Sequence, residues 1–317
     1  MMPVELAQGI EALLYGKKQA PMKEIAEKLT QRYRTESGKG ARLVQSAEEA
    51  VVYSVVRMPA TFGAVSAALS YACELLPPRF SVQSVADCGA GTGAAAWAIR
   101  EAFGPEKITL LEREAAMRSV GQSLMSEDMR SVCEWKPFDV VTDRIEQKYD
   151  LVSAAYLLNE LAESARGKVL EKLWNATEKI LLIVEPGTPV CAAQMQGYRS
   201  FLSERGATIV APCPQSINCP MGEGDWCHFT CRIQRTKMHR LLKGEAPFED
   251  EKYSYIVAVK GDIPVQTVQN RVLRHPYTEK GKVTLTFCNG TAVTEKTFRK
   301  GDSEYKTAQK VNCGDAF

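Results

Sequence analysis

The sequence predicts an α/β fold with a mostly parallel sheet that is covered by helices on both faces. Strand-like and helix-like segments alternate between residues 82 and 212 of the 317-residue chain, which is the pattern of right-handed βαβ units. A glycine-rich stretch, Gly89-Ala-Gly91-Thr-Gly93, joins the first strand to an alanine-rich helix. Such a turn lets the backbone approach a ligand at a helix N-terminus.

The elements follow from apolar periodicity. Residues 1–80 are predicted to form an N-terminal helical region, because apolar residues recur every three or four positions and Pro77-Pro78 then ends the pattern. An α/β domain is predicted at 81–262 and a small β-rich module at 263–317, the latter with a hairpin turn at Asn289-Gly290. The predicted strands are 82–87, 107–112, 131–135, 149–154, 179–185, 207–212, 253–260, 282–288 and 291–298. The predicted helices are 93–103, 114–127, 157–163, 165–177 and 191–204.

Composition excludes several classes of protein. With 45% hydrophobic and 25% charged residues the chain is typical of globular proteins. It has no run of about 20 apolar residues, so we expect no membrane contact. Glu5 and Glu11 interrupt the apolar start, so it does not resemble a secretion signal. Ten cysteines in such a chain predict a reducing compartment, where clustered thiols bind metals more often than they form disulfides. We expect a cytoplasmic monomer.

The glycine loop predicts a nucleoside-containing cofactor. Glu112 ends the second strand, 19 residues after Gly93, where an acid accepts hydrogen bonds from ribose hydroxyls. This spacing also occurs in NAD sites, but the loop departs from the dinucleotide pattern G-x-G-x-x-G. Asp87 lies at the end of the first strand, two residues before Gly89, as in class I S-adenosylmethionine-dependent methyltransferases, where the acid helps to place the methionine ammonium. These features favour S-adenosylmethionine over NAD.

Residues after strands four and five are candidates for the same pocket. Tyr156, Asn159 and Glu160 follow strand four, and Glu185 ends strand five. Carboxyl ends of parallel strands line the ligand crevice of such sheets, so Asn159 is predicted to bind the cofactor. The alternative is that Asn159 and Glu160 only open the next helix. Neither Asn/Asp-Pro-Pro-Tyr/Phe nor a Pro-Cys nucleophile is present there, and no catalytic residue can be assigned.

Four cysteines within a Pro/Gly-rich stretch predict a metal site. Cys213, Cys219, Cys227 and Cys231 fall within 19 residues. Only Cys227 and Cys231 have the close spacing common in zinc knuckles, whereas iron–sulfur clusters accept varied spacing and a distant ligand, such as Cys288. Spacing alone leaves zinc and iron–sulfur open.

An ordered set of motifs resembles a known family, the methyltransferase-like proteins associated with the mitochondrial small ribosomal subunit and their bacterial relatives. The motifs are Tyr53-x3-Arg57-x-Pro59-Ala60-Thr61-Phe62, Asp87-x-Gly89-x-Gly91-x-Gly93-x3-Trp97, Leu158-Asn159-Glu160-Leu161, Val184-Glu185-Pro186-Gly187, Cys213-Pro214, Cys219-Pro220, Trp226-Cys227-His228-Phe229, Phe248-Glu249-Asp250-Glu251, Arg271-Val272, Pro276 and Cys288. The chain departs from the family at Cys313, where a Trp is expected before Gly-Asp.

The resemblance implies a class I methyltransferase fold with a [4Fe–4S] cluster on Cys213, Cys219, Cys227 and Cys288. It also implies a role on small-subunit ribosomal RNA, or on the pre-ribosomal small subunit, during assembly. Three hypotheses for function remain: an RNA methyltransferase, an assembly factor that transfers no methyl group, and a methyltransferase for another substrate.

The charge distribution independently indicates a nucleic-acid partner. The formal net charge is +2, and from Arg205 onward 17 Lys/Arg oppose 12 Asp/Glu. The segment 232–243 contains no acid, and its spacing predicts that several basic residues share one helix face: Arg232, Arg235, Lys237, Arg240 and Lys243. Between Arg271 and Lys310 there are nine basic and four acidic residues. Contacts of this kind with phosphates give salt-dependent binding.

Overall fold

A computed structural model describes residues 2–213, 219–222 and 224–317. Its helices are α1 Val4–Ala12, α2 Gln19–Glu36, α3 Ala47–Val56, α4 Met58–Cys73, α5 Ala94–Phe103, α6 Ala115–Leu124, α7 Glu127–Val132, α8 Glu163–Ala176, α9 Pro189–Ser203, α10 Lys237–Lys243 and α11 Tyr305–Ala308. Its strands are β1 Ser84–Cys88, β2 Lys107–Glu112, β3 Cys133–Pro137, β4 Tyr149–Ala155, β5 Thr177–Pro186, β6 Thr208–Ala211, β7 Phe229–Gln234, β8 Phe248–Val259, β9 Arg271–Val272, β10 Tyr277–Glu279, β11 Lys282–Cys288 and β12 Val293–Arg299.

The chain forms two compact units that are interleaved along the sequence. One comprises Met1–Ala67, Ser81–Glu185 and Cys231–Glu251. The other comprises Ala68–Phe80, Pro186–Thr230 and Lys252–Phe317.

A parallel sheet with the order β3-β2-β1-β4-β5 forms the centre of the first unit. The residues of β1, β4 and β5 are almost all buried, as expected for parallel strands with helices on both faces. Helix α5 follows β1 through the glycine loop. It begins with three alanines, which favour helix, and ends at Gly104 in the left-handed conformation. This strand–loop–helix order confirms the predicted βαβ arrangement.

The N-terminal region is helical as predicted, through α1 to α4. The start of α3 is stabilised by Ser46, whose Oγ accepts the Glu49 amide N–H at 3.1 Å. Arg32 of α2 holds the same Glu49 carboxylate with two hydrogen bonds, at 2.7 and 3.0 Å. Among the described residues no single helix is long and apolar enough to cross a membrane, although α3 and α4 pass that test together as a pair bent by 49°.

The second unit contains the predicted β-rich module. Strands β10, β11 and β12 form an antiparallel sheet, and β9 pairs with β11. The hairpin of β11 and β12 turns at Asn289-Gly290, as predicted from the sequence. The core of the module contains Val283, Leu285, Phe287, Phe298 and Ala308. Elsewhere in this unit β6 pairs antiparallel with β8.

Two predicted helices differ in the structure. The segment predicted as helix at 157–163 contains only a 3₁₀ turn, Leu158–Glu160, because the backbone becomes extended at Leu161; the Glu185 carboxylate caps the start of the turn by accepting the Leu158 N–H at 2.8 Å. The predicted basic helix face at 232–243 is wrong for its first half. Arg232 lies in β7 and bonds Asp250, and Arg235 bonds Glu249. Strand pairing with the acidic start of β8 thus neutralises two of the five basic residues.

Candidate functional site: an acidic pocket and a cysteine cavity

A cavity lies in the first unit at the carboxyl ends of β1, β2 and β4. This is the edge at which parallel α/β sheets bind ligands. Its walls come from the glycine loop, from the segments after β2, β3 and β4, and from the N-terminal helices. They are lined by Tyr33, Gly40, Leu43, Val44, Tyr53, Gly89, Gly91, Glu112, Arg113, Glu114, Met117, Phe138, Asp139, Val140, Ala155, Tyr156, Leu157, Glu160 and Leu161.

The backbone of the glycine loop can border the cavity because the glycines have no side chains to fill it or to restrict φ. Gly89, Gly91 and Gly93 have φ values of 67°, 57° and 91°, a region that disfavours other residues. A Cβ atom at Gly89 would lie 2.6 Å from Leu157 Cδ1. Of the three predicted glycines, Gly89 and Gly91 line the cavity, whereas Gly93 begins α5.

Glu112 fixes the loop and also faces the cavity. Its Oε2 accepts the Gly91 N–H at 2.8 Å and its Oε1 accepts the Glu114 N–H at 2.7 Å. Burial raises the pKa of the Glu112 carboxyl, and these two backbone hydrogen bonds oppose the effect. Each carboxylate oxygen can accept more than one hydrogen bond, so Glu112 retains acceptor capacity toward the cavity.

Asp87 lies behind the loop rather than on the cavity wall. It is 1% exposed, and its Oδ1 accepts the Ser153 hydroxyl at 2.7 Å. Its Oδ2 is buried without a hydrogen-bond partner among the described residues. Burial raises the pKa of the Asp87 carboxyl to about 7, so a nearby cation would stabilise its ionised form.

Glu160 gives the cavity a second inward carboxylate. It has no side-chain hydrogen bond or ion pair among the described residues. Burial raises its pKa to about 8, with a further contribution from repulsion by Glu112. Asp139 and Glu114 also line the cavity, whereas Arg113 is its one basic residue among those described. The site is therefore negatively charged when its carboxyls are ionised.

Several wall residues were not among the sequence candidates. Tyr33 of α2 and Tyr53 of α3 stack with ring centroids 6.1 Å apart, and burial raises the pKa of Tyr53 to about 12. Phe138 and Asp139 follow β3. The position of these two residues at the carboxyl end of a strand could have identified them as candidates. Tyr53 belongs to a family motif but was not predicted to line a pocket, and no pattern in the sequence indicates that it pairs with Tyr33.

Tyr156 occupies a strained position after β4. It has φ of 56°, which costs energy for a residue with a Cβ atom. Its hydroxyl donates to Glu251 Oε1 at 2.8 Å, and Arg57 donates to both oxygens of the same carboxylate at 3.1 and 3.3 Å. The three side chains hold the Tyr156 backbone at the cavity edge.

Asn159 supports this segment from behind and does not line the cavity. When the Asn159 amide is oriented to satisfy both of its ends, its nitrogen donates to Glu185 Oε2 at 2.6 Å and to Tyr156 O at 3.0 Å, and its oxygen accepts from Ser37 Oγ at 3.2 Å. Glu185 is 1% exposed, and burial raises its pKa to about 8. Asn159 and Glu185 thus shape the wall on which Tyr156 and Glu160 lie.

The four cysteines implied by the family resemblance line one cavity in the second unit. Cys213, Cys219, Cys227 and Cys288 border about 390 Å³ of space together with Arg199, Pro212, Pro220, Met221, Phe229, Arg271, Leu273, Gly290 and Val293. Cys231 is not among these residues, and its thiol instead lines a groove beside Gly63 and Ile233. Residues 214–218 and 223 of the predicted cysteine-rich insertion, including Pro214, lie outside the described residues.

The cysteines of this cavity are half-buried, and two of their thiols accept hydrogen bonds. Burial raises the pKa of Cys213, while Arg199 opposes the shift by donating from Nη1 to Sγ at 3.3 Å. Burial also raises the pKa of Cys288, whose Sγ accepts the Gly290 N–H at 3.3 Å. All ten cysteines are free. In the described parts of the chain no three Cys, His, Asp or Glu side chains converge closely enough to share one metal ion.

The chain is similar in sequence to two curated mitochondrial proteins. It is 27% identical over 229 residues to the human protein "Ribosome assembly protein METTL17, mitochondrial", covering 67% of this chain and 49% of that protein. It is 23% identical over 288 residues to "Rsm22-cox11 tandem protein 2, mitochondrial" of Schizosaccharomyces pombe, covering 74% of this chain and 38% of that protein. The chain thus spans half or less of the length of these relatives.

Similar solved structures include magnesium protoporphyrin IX methyltransferase from Synechocystis PCC 6803 with bound SAM. It has a TM-score of 0.43 and 13% identity, and the match covers 73% of this chain and 91% of that chain. The parallel order β3-β2-β1-β4-β5, with acids at the ends of β1 and β2, is the class I methyltransferase arrangement. The predicted fold class is confirmed.

The family itself follows from a match over most of the chain. A sequence model described as "Rsm22: Mitochondrial small ribosomal subunit Rsm22" matches residues 47–317. This range includes the glycine loop and all four cysteines of the second cavity. The chain therefore belongs to the Rsm22 family.

Proposed function

We propose that the acidic pocket binds S-adenosylmethionine. The observation that carries the proposal is the excess of carboxyl groups on the wall: Glu112, Glu114, Asp139 and Glu160 line it, with Arg113 as the one basic lining residue among those described, while Glu114 also pairs with Arg42 and Arg113. S-adenosylmethionine carries a sulfonium and an ammonium group, whose positive charge favours the ionised form of carboxyls that burial keeps partly protonated. The pyrophosphate of NAD is anionic and would be repelled. The charge of the wall thus favours the first of the two cofactors that the glycine loop left open.

Each predicted binding residue has a distinct role in this proposal. Glu112 accepts hydrogen bonds from ribose hydroxyls, and Gly89 and Gly91 allow close approach of the backbone. Asp87, with one unpaired oxygen, supplies negative charge behind the loop. Gly93 starts the helix, and Asn159 holds the segment that carries Tyr156 and Glu160. When bound, S-adenosylmethionine supplies an electrophilic methyl group; the chain contributes orientation and exclusion of water. No residue is assigned as catalytic.

Titration calorimetry tests the cofactor. We expect S-adenosylmethionine and its demethylated product S-adenosylhomocysteine to bind, and NAD not to bind at the same concentrations. Glu112→Gln should weaken binding at least tenfold, whereas Glu171→Gln on the exposed face of α8 should not. Binding of NAD in preference to S-adenosylmethionine would contradict the proposal.

We further propose that Cys213, Cys219, Cys227 and Cys288 hold a [4Fe–4S] cluster. The support is that the four thiols implied by the family resemblance border one cavity, and that iron–sulfur clusters are bound by four thiolates whose spacing in the sequence varies. Four thiolates also suit tetrahedral zinc. Zinc remains the alternative for the experiment to exclude.

Anaerobic purification with iron, sulfide and zinc assays tests the metal. We expect about four iron and four sulfide per chain and a visible charge-transfer spectrum. Cys288→Ser should lower the iron content, whereas Cys231→Ser should not. A colourless protein with one zinc would refute the cluster.

We infer that the chain acts on small-subunit ribosomal RNA or the pre-ribosomal small subunit, in a reducing compartment such as the cytoplasm. The family match and the name of the human relative support the ribosomal role. The ten free cysteines support the compartment.

Methyl transfer to RNA and assembly without transfer are separate proposals. The pocket favours the first, while the printed name of the human relative, an assembly protein, favours the second. Mass mapping of ribosomal RNA modifications with and without the gene distinguishes them. Loss of one methyl mark, restored by the native chain but not by Glu112→Gln, supports transfer. An unchanged methylation map with impaired small-subunit assembly supports the assembly factor.

A further inference from the structure

Two buried arginines border the four-cysteine cavity. Arg199 of α9 is 6% exposed and Arg271 of β9 is 1% exposed, and both line the cavity with the thiols. Burying a guanidinium in a protein interior costs several kcal/mol unless an opposite charge and hydrogen bonds compensate for the lost water. The groups around each guanidinium should therefore include those that compensate its charge.

Neither arginine has a carboxylate partner within 4.0 Å among the described residues. Arg199 donates from Nη1 to Cys213 Sγ, and its Nε is buried without a partner. Arg271 donates to the carbonyl oxygens of Pro212 at 3.1 Å and Gly314 at 2.7 Å, and its guanidinium lies 5.6 Å from the centroid of the Tyr71 ring, but its Nη2 is buried without a hydrogen-bond partner among the described residues. Asp315 lies near this region, but its carboxylate accepts the Asn312 N–H and forms no ion pair with Arg271.

A third unsatisfied donor faces the same thiols. The Tyr255 hydroxyl is buried without a hydrogen-bond partner in the described part of the chain. Its side chain lines a space of about 420 Å³ that also touches Cys213, Cys219 and Cys227. Buried polar groups are normally satisfied. Three unpaired donors around one group of thiols therefore indicate an occupant that is anionic and rich in acceptors.

We propose that Arg199 and Arg271 are the counter-charges of the metal group held by the four cysteines. The inference rests on the proposed cluster. Four thiolates around a [4Fe–4S] core of charge +2 carry a net charge of −2, which the two guanidinium groups neutralise. Arg199 in addition donates to a ligand sulfur, and positive charge and N–H···S hydrogen bonds both raise the reduction potential of such a cluster. The two arginines are thus positioning residues that favour loading and set the potential.

The alternative is a purely structural role, since Arg271 also fixes two backbone carbonyls. The reduction potential separates these roles, because a packing defect does not systematically shift it in one direction. Arg199→Gln removes the charge, whereas Arg199→Lys keeps it. Arg205→Gln is the matched control, because Arg205 lies near the same helix end with its guanidinium over the Phe201 ring, away from the thiols.

The first experiment loads each protein anaerobically, counts iron and sulfide, and follows reduction with dithionite by electron paramagnetic resonance. Arg199→Gln should disfavour one-electron reduction about tenfold, a shift of about 59 mV to more negative potential. Arg199→Lys should shift less, and Arg205→Gln should not shift. If the native chain binds no iron, the proposed cluster is wrong. If loaded Arg199→Gln has the same reduction potential as the native chain, the proposed role of Arg199 as a counter-charge is wrong.

A second measurement tests the proposal if the variants bind little iron or if the bound metal is zinc. Thermal unfolding is compared with and without metal for the native chain, Arg199→Met and Arg205→Gln. With metal absent, Arg199→Met should be more stable than the native chain, because an uncompensated buried charge is removed. With metal bound, zinc tetrathiolate included, it should be less stable. The same sign in both states would overturn the counter-charge proposal whichever metal is present.

Discussion

Glu112 Oε2 accepts the Gly91 N–H at 2.8 Å, which ties the end of β2 to the loop that follows β1. The two residues are 21 positions apart in the chain and both line the acidic pocket. A residue predicted to contact a ribose therefore also fixes the backbone against which the cofactor would lie. Binding and loop geometry are coupled through one carboxylate.

Comparing Glu112→Ala with Glu112→Gln distinguishes the loss of the hydrogen bonds to the loop from the loss of the negative charge. The substitution leaves the Gly91 and Glu114 amides without their partner, at a cost of about 1–3 kcal/mol for each buried group. Glu112→Gln retains one acceptor oxygen, so we expect a smaller loss of stability in urea unfolding. Equal stability of the two variants would show that the amides find other partners.

Gly89→Ala tests the close approach of the loop to Leu157. The φ of 67° makes any Cβ unfavourable by about 1–2 kcal/mol, and the added Cβ would lie 2.6 Å from Leu157 Cδ1. Gly104→Ala is the matched control, because its φ is 59° and no atom lies within 4 Å of the added Cβ. Both variants should lose stability, but only Gly89→Ala should also lose affinity for S-adenosylmethionine, since Leu157 must move within the pocket. Equal affinities would show that Leu157 rotates away freely.

The stability that three buried carboxyls contribute should fall as the pH rises from about 4 to about 8. Burial raises the pKa of Asp87 from 3.8 to about 7, and those of Glu160 and Glu185 from 4.5 to about 8. In this window these three groups bind more protons in the folded chain than in the unfolded chain, so their contribution to the free energy of unfolding decreases with pH, while His239, with a pKa lowered to about 4, acts in the opposite direction below pH 6.5. Asp87→Asn should flatten the part of the curve between pH 4 and 7, as measured by urea unfolding at each pH. Asp262→Asn, at an exposed position, should leave the slope unchanged; an unchanged slope in Asp87→Asn as well would contradict the assignment.

The sequence predicted those parts of the fold that local pattern determines. The residues of β2 and the β11–β12 hairpin are where apolar periodicity and Asn289-Gly290 place them. The segment after β4 has helical periodicity but forms only a 3₁₀ turn, whose start is held by Glu185, a partner 27 residues beyond Leu158 that local pattern does not reveal. The basic face at 232–243 was misread because Arg232 and Arg235 pair across strands with acids more than ten residues away.

In the candidate site, too, local motifs were predictable from the sequence and long-range contacts were not. Glycines and strand-end acids were visible as motifs, because the loop geometry requires them locally. The stacked pair Tyr33 and Tyr53 and the anchor of Arg57 on Glu251 depend on tertiary packing, the latter across 194 positions. Periodicity carries no information about such pairs, so they were not predictable from one sequence.

The small sheet has a basic end, and the salt dependence of binding tests whether this end contacts the RNA partner that we propose. Lys300 N–H donates to the Gly281 carbonyl, and Lys282 lies opposite Arg299, so Lys280, Arg299 and Lys300 cluster at the end of the hairpin remote from Cys288. None of these three forms an ion pair in the described part of the chain, whereas Lys282 pairs with Glu279.

The triple variant Lys280→Gln, Arg299→Gln, Lys300→Gln should bind small-subunit RNA more weakly. The slope of log K against log salt should become less steep by about two to three, because each phosphate contact contributes about 0.7 to 0.9. The matched control, Lys17→Gln, Lys18→Gln, Lys23→Gln, changes three exposed lysines of the N-terminal region and should keep the native slope. Fluorescence anisotropy at several salt concentrations measures both. Equal slopes in both triple variants would place the RNA contact elsewhere, because removing three phosphate contacts necessarily changes the number of released counterions.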